Sequence, residues 1–235
     1  LGDFSQTVRT DGYDPNAFYW YEGFDNYDGS TLPNGFSQPG MGISFTKTEI
    51  SGNPALKYVN EYIPEKSGTS NFSIKGTEPL DFSKGALLLS YDVTPQSNLT
   101  WLGDGAKSNI LIPTLRIGST EISQLSIIEH GGIKAAYKTA PTAWGRSAYL
   151  TGWENNTLVA DTTVKFQLLL EKEGNQITAT QYINEKPVYY TLSDEAKLAS
   201  VTVDITEEEL AKEWTLTMAG RRFPNGLVFD NFHIT

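Results

Sequence analysis

The chain has 235 residues, a formal net charge of −10 and a pI of about 4.7. Binding to nucleic acid or to an anionic membrane depends on Lys and Arg neutralising phosphates, so a balance of this sign argues against both. No cysteine is present, which rules out disulfides, thiolate metal sites and a cysteine nucleophile, and no run of about 18 apolar residues could span a membrane.

Hydrophobic residues make up 39% and aromatics 12%, enough to build a core. The start, Leu1-Gly2-Asp3-Phe4, has no Met and no signal peptide, and reads as a trimmed mature protein or an excised domain. Residues 1–17 are polar and turn-rich, as in an N-terminal arm or linker. The aromatic run Phe18-Tyr19-Trp20-Tyr21-Glu22-Gly23-Phe24 reads as the opening strand. Strands are expected at 42–48, 55–63 and 71–75, each bounded by Gly, Pro, Ser or Asn. The nearly continuous apolar run 86–93 fits a central strand. Residues 109–117 and 121–128 form an expected hairpin across Gly118-Ser119. Shorter strands follow at 133–138 and 147–151. Residues 164–172 and 176–183 pair across Glu173-Gly174-Asn175, and 187–191 extends that unit. Strands at 201–205, 214–219 and 227–234 close the chain. Trp20 and Trp214 fall within strand patterns and read as core.

One segment reads as helix. Thr206-Glu207-Glu208-Glu209 is a capping box, in which the hydroxyl and the Glu209 carboxylate each satisfy an N-terminal amide. It reads as a solvated cap helix. Many short strands, one short surface helix and no linker-like break point to an all-β antiparallel sandwich, a jelly roll, formed by one domain over residues 18–235.

The two ends carry more specific motifs. Glu22-Gly23-Phe24-Asp25-Asn26-Tyr27-Asp28-Gly29-Ser30-Thr31-Leu32-Pro33-Asn34-Gly35-Phe36 and Gly226-Leu227-Val228-Phe229-Asp230-Asn231-Phe232-His233-Ile234 together resemble the concanavalin A-like lectin/glucanase and carbohydrate-binding jelly rolls of secreted bacterial proteins. The 164–172 and 176–184 pair, with Lys186-Pro187-Val188, resembles the paired strands of laminin-G-type domains. The resemblance implies a structural calcium ion held between the first and last strands, here at Glu22, Asp25 and Asp230. Calcium seeks six to eight hard oxygen ligands, and carboxylates on adjacent strands can begin such a set.

The glucanases of this resemblance carry Glu-x-Asp-x-x-Glu on one strand, where alternation puts the carboxylates on one face. No such triplet occurs. Polysaccharide lyases on similar sandwiches combine Arg, Gln, His and Tyr. Arg116, Gln124, His130 and Tyr137 have those identities, but the Gln-x-His strand motif is absent and His130 precedes Gly131-Gly132, a turn. No nucleophile elbow, His-Glu-x-x-His motif or phosphate loop appears.

Sugars present apolar C–H faces to aromatic rings and hydroxyls to polar groups. Trp101, Trp144 and Trp153 lie among polar and turn residues, with Arg146, Tyr149 and Tyr137 nearby as hydrogen-bonding partners. These six make the expected glycan patch. The expected function is a non-catalytic polysaccharide-binding domain of a secreted or cell-surface protein, part of a larger multidomain protein. The alternatives are a glycoside hydrolase or polysaccharide lyase, and a structural or adhesion domain that contacts protein.

Overall fold

The computed structural model describes residues 20–63, 68–99, 108–124, 127–140, 143–145 and 148–235. In chain order the first strands are β1 (Trp20–Glu22), β2 (Ile43–Ile50), β3 (Asn53–Asn60), β4 (Ser70–Pro79), β5 (Leu87–Pro95) and β6 (Ile110–Ile117). Then come β7 (Thr120–Gln124), β8 (Ile127–Glu129), β9 (Gly132–Lys134), β10 (Tyr137–Ala140), β11 (Ala143–Gly145), β12 (Val164–Glu173) and β13 (Gln176–Ile183). The chain ends with β14 (Lys186–Pro187), β15 (Tyr189–Leu192), β16 (Glu195–Leu198), β17 (Ser200–Asp204), the helical turn α1 (Glu207–Leu210), β18 (Glu213–Arg221) and β19 (Phe223–Ile234).

The strands form an all-β sandwich of two antiparallel sheets. The larger runs β14-β13-β12-β5-β19-β3-β2, with β1 on β19 and β17 on β13. The smaller runs β4-β18-β6-β8-β9, with β7 also on β6. The first and last strands pair directly, Trp20 opposite Ile234 and Glu22 opposite Phe232. Two hairpins, β10-β11 and β15-β16, stand apart from both sheets.

Between the sheets lies an aromatic core. The Tyr91 ring is stacked between Phe166 at 5.5 Å and Phe232 at 5.1 Å, and Phe24, Phe72 and Phe229 extend the cluster. Offset stacked and edge-to-face pairs at these spacings add to what burial alone contributes. Trp214 is fully buried, as expected, whereas Trp20 is half-buried and meets it edge-on at 5.2 Å. Gly76 makes room for the Trp214 indole, since a Cβ there would lie 2.0 Å from Nε1.

Several expected boundaries shift. The opening strand is the short β1, and Phe18 and the 1–17 arm lie outside the described residues. The expected strand at 121–128 divides into β7 and β8, both pairing β6. Of the expected strand at 147–151, residues 148–151 are described and form no strand: Tyr149 and Leu150 make isolated bridges to Lys134 and Tyr190. The capping box is half realised. The Glu209 N–H donates to Thr206 Oγ1 at 3.1 Å, but the Glu209 carboxylate turns to Lys212 and to the Ser119 N–H, 2.7 Å away. Those partners hold its pKa down to about 2 and tie α1 to the β6–β7 turn.

Candidate functional site

Two of the three loop tryptophans can be placed. Trp153 follows a turn in which its N–H donates to the Leu150 carbonyl at 2.9 Å, while its own carbonyl accepts from Ile133 N–H at 2.7 Å. This close approach to β9 needs Gly132, where a Cβ would lie 2.6 Å from the Glu154 carbonyl oxygen. Thr151 N–H donates to the Tyr189 carbonyl at 2.7 Å, which fixes the same segment to the β15-β16 hairpin. The result is a cleft of about 670 Å³ lined by Thr151, Trp153, Asn184, Lys186, Pro187 and Tyr189, among others. Its volume falls in the range of small-molecule sites. Trp153 is half-buried against the core and Tyr189 is 47% exposed, so ring surface is open to a ligand beside polar groups.

Trp144 occupies a different place. It lies on β11 opposite Lys138 of β10 and lines a separate cleft with Glu121, Gln176 and Asp204. The Lys138 ammonium sits 5.3 Å from its ring centroid, so a cation already covers one ring face. Tyr149 carries the Lys134 ammonium over its ring at 4.8 Å, and Lys134 in turn pairs with Glu129 at 2.7 Å. Burial raises the Tyr149 pKa. Tyr137 is buried and stacks on Tyr190 at 5.2 Å, with Gly145 leaving room for its ring. It therefore supports the hairpins rather than facing a ligand. Trp101 and Arg146 lie outside the described residues. Trp144, Trp153, Tyr149 and Tyr137 thus do not form one patch: Trp153 and Trp144 line separate clefts, Lys138 lies over the Trp144 ring, Lys134 lies over the Tyr149 ring, and Tyr137 is buried.

The residues with lyase identities are also dispersed. Arg116 pairs with Glu121 at 2.7 Å near one end of β6, while His130 N–H donates to the Asn109 carbonyl beyond the other end. Six residues of strand put those ends about 20 Å apart. His130 has φ 55° in a turn, as expected.

Acidic groups do gather at the terminal strands. Asp230 of β19 stands opposite Asp92 of β5 where β19 bulges, and β1 brings Glu22 to the opposite side of β19. Each carboxylate already accepts one amide hydrogen. Phe24 N–H donates to Glu22 at 2.6 Å, Asn231 N–H to Asp230 at 2.8 Å, and the Asn231 side chain to Asp92 at 2.9 Å. Phe24 and Asn231, with φ of 60° and 51°, take left-handed conformations to do so. Burial, with added repulsion from Asp92, Asp25 and Glu22, pushes Asp230 up to about 7. Burial likewise raises Asp92 and Glu22. The donor chemistry is that of a hard cation. Among the described residues, however, no three His, Cys, Asp or Glu side chains converge as a coordinating set, so an ion would need carbonyl or water oxygens as well. Asp92 was not among the expected ligands, although a lone acid in the apolar run Leu87-Leu88-Leu89-Ser90-Tyr91-Asp92-Val93 is the signal that marks it.

No protein-family model matches the chain, and no curated protein sequence matches it. Solved structures do. An endo-1,3-beta-glucanase from Streptomyces sioyaensis superposes with a TM-score of 0.55 at 11% identity, covering 92% of this chain and 95% of that one. The globular domain of T. cruzi calreticulin gives 0.53 at 8% identity, covering 93% and 87%. Lectin I-B4 from Griffonia simplicifolia gives 0.41 at 9% identity, covering 92% and 98%. The fold is an antiparallel β-sandwich jelly roll, as in the endo-1,3-beta-glucanase and the calreticulin domain. Fold of itself does not assign an activity. Among the described residues no helix is long and apolar enough to cross a membrane.

Proposed function

We propose that the chain is a non-catalytic polysaccharide-binding domain of a secreted or cell-surface protein, and that it takes glycan in the Trp153–Tyr189 cleft. The observation that carries this reading is the cleft itself, where open aromatic surface adjoins Thr151 and Asn184. Pyranose C–H faces stack on such rings, and the neighbouring polar groups fix hydroxyls. The test is retention in polysaccharide affinity gels. Trp153→Ala loses retention while Trp144→Ala, which alters a separate cleft, keeps it. The reading fails if Trp153→Ala folds normally and is retained as the parent is.

A glucanase with the same fold keeps hydrolysis as a second reading. Its discriminating measurement is release of new reducing ends from β-glucan. Sustained release would make the chain an enzyme despite lacking the Glu-x-Asp-x-x-Glu triplet.

We further propose that a calcium ion binds at the terminal strands, taking carboxylate oxygens from Asp230 and from one of Glu22, Asp25 and Asp92, and its remaining ligands from backbone carbonyls and water. The ion would relieve the repulsion among these carboxylates and clamp the first strand to the last. Calcium then raises the melting temperature and a chelator lowers it; no shift with either sinks the proposal.

A further inference from the structure

The Trp153–Tyr189 cleft has a charge character that the chain as a whole does not share. The β13–β14 turn has two central residues, Asn184 and Glu185, with φ of 49° and 67°. Two positive φ values in a two-residue loop are the type I′ geometry that suits hairpin twist. The turn sends neighbouring opposite charges to different places. The Glu185 carboxylate accepts from the Lys165 ammonium at 3.1 Å, and its N–H donates to Gln167 Oε1 at 2.8 Å, both on β12. Asn184 Oδ1 accepts from Lys165 N–H at 2.9 Å and fixes the same anchor. The acid of the Glu185-Lys186 pair is therefore engaged over β12. Lys186, opposite Ile183, is exposed and lines the cleft, and it makes no ion pair among the described residues. None of the described residues lining the cleft is acidic, although the chain has ten more acids than bases, 28 Asp and Glu against 18 Lys and Arg.

An ammonium without a carboxylate partner, set beside open aromatic rings, matches a ligand that brings its own anion next to an apolar ring face. We propose that the cleft selects glycans bearing an anionic substituent, a uronate carboxylate or a sulfate ester, with Lys186 Nζ as counter-ion and the Trp153 and Tyr189 rings against the sugar. This selection rests on the cleft being the glycan site. The net negative charge opposes polyanions only at long range. At physiological ionic strength that field decays over about 8 Å, so the local group decides the preference.

The test uses the full chain in affinity gels at physiological salt, with two matched polymer pairs and a neutral β-glucan. One pair is polygalacturonate and its methyl ester; the other is a sulfated galactan and its desulfated form. The charged member of a pair binds more tightly, by about fivefold for one exposed charge contact. The pair that shows the preference distinguishes carboxylate from sulfate. Lys186→Gln abolishes the preference, and Lys186→Arg keeps it. Equal binding of charged and neutral members, or a preference that survives Lys186→Gln, overturns the charge selection. If in that case Trp153→Ala still abolishes retention on β-glucan, the cleft remains the glycan site. No retention on any of the five polymers overturns both.

Discussion

Replacing Asp230 by Asn tests the electrostatics of the terminal strands directly. Asp230 faces Asp92 across the β19–β5 pairing, and its carboxyl is raised from 3.8 to about 7. A raised folded-state value means that the folded protein binds the proton more tightly than the unfolded chain. The resulting stabilisation is complete below about pH 4 and is lost as pH rises through 7. A difference of about three pH units corresponds to a ceiling of about 4 kcal/mol. The site is half-buried, and solvent screening reduces that to about 2 kcal/mol. For a chain of this size this is about 4–8 °C in melting temperature. Asn mimics the protonated acid and retains an oxygen for the Asn231 N–H. In chelator, the parent and Asp230→Asn melt together near pH 4. The variant becomes the more stable by about 4–8 °C at pH 8. Calorimetric or fluorescence melts every half pH unit measure the difference curve. A difference that does not change with pH refutes the reasoning, because it would mean that Asp230 titrates alike in both states. Adding calcium at pH 8 raises the parent more than the variant if the carboxylates bind the ion, and so closes the gap.

Local geometry sets two further outcomes. Gly132→Ala pushes the Trp153–Glu154 backbone off β9, where a Cβ would lie 2.6 Å from a carbonyl oxygen, so retention on polysaccharide falls while strand content by circular dichroism is kept. Thr206→Ala removes the acceptor for Glu209 N–H and costs about 1 kcal/mol, read as a drop of about 2–4 °C in melting temperature; unchanged melting would show that Lys212 and Ser119 alone hold the turn.

Much of the strand order was legible because a strand buried on one face leaves alternation and one bounded by turns leaves Gly, Asn and Pro. The 164–172 and 176–183 segments pair as expected, but the turn is Gly174-Asn175 alone, with Glu173 opposite Gln176 in the ladder. Strands whose partners are not neighbours in sequence were harder to bound. β11 and β16 carry little pattern, and the 147–151 segment is β-like in composition but finds only bridging partners. The candidate site was legible in part. Trp153 stood out as a loop aromatic, whereas Tyr189 and Lys186 joined it only because Thr151 bonds to the Tyr189 carbonyl and the turn at Asn184 projects Lys186.

The sequence by itself determined an antiparallel β-sandwich closed by its two ends, since hydrophobic period, turn residues and the motifs at Glu22 and Asp230 are local or act in direct pairing. Tertiary structure alone decided which aromatic rings are available. Tyr137, Trp144 and Trp153 look alike along the chain, yet one is buried on Tyr190, one lines a cleft with Lys138 over its ring, and one lines a separate cleft beside Tyr189 and Lys186. It also brought Asp92 to Asp230 from 138 positions away in the sequence. The reason is physical: burial and field at a side chain are set by what the other sheet and the distant loops place against it, and a residue's sequence neighbours do not carry that information.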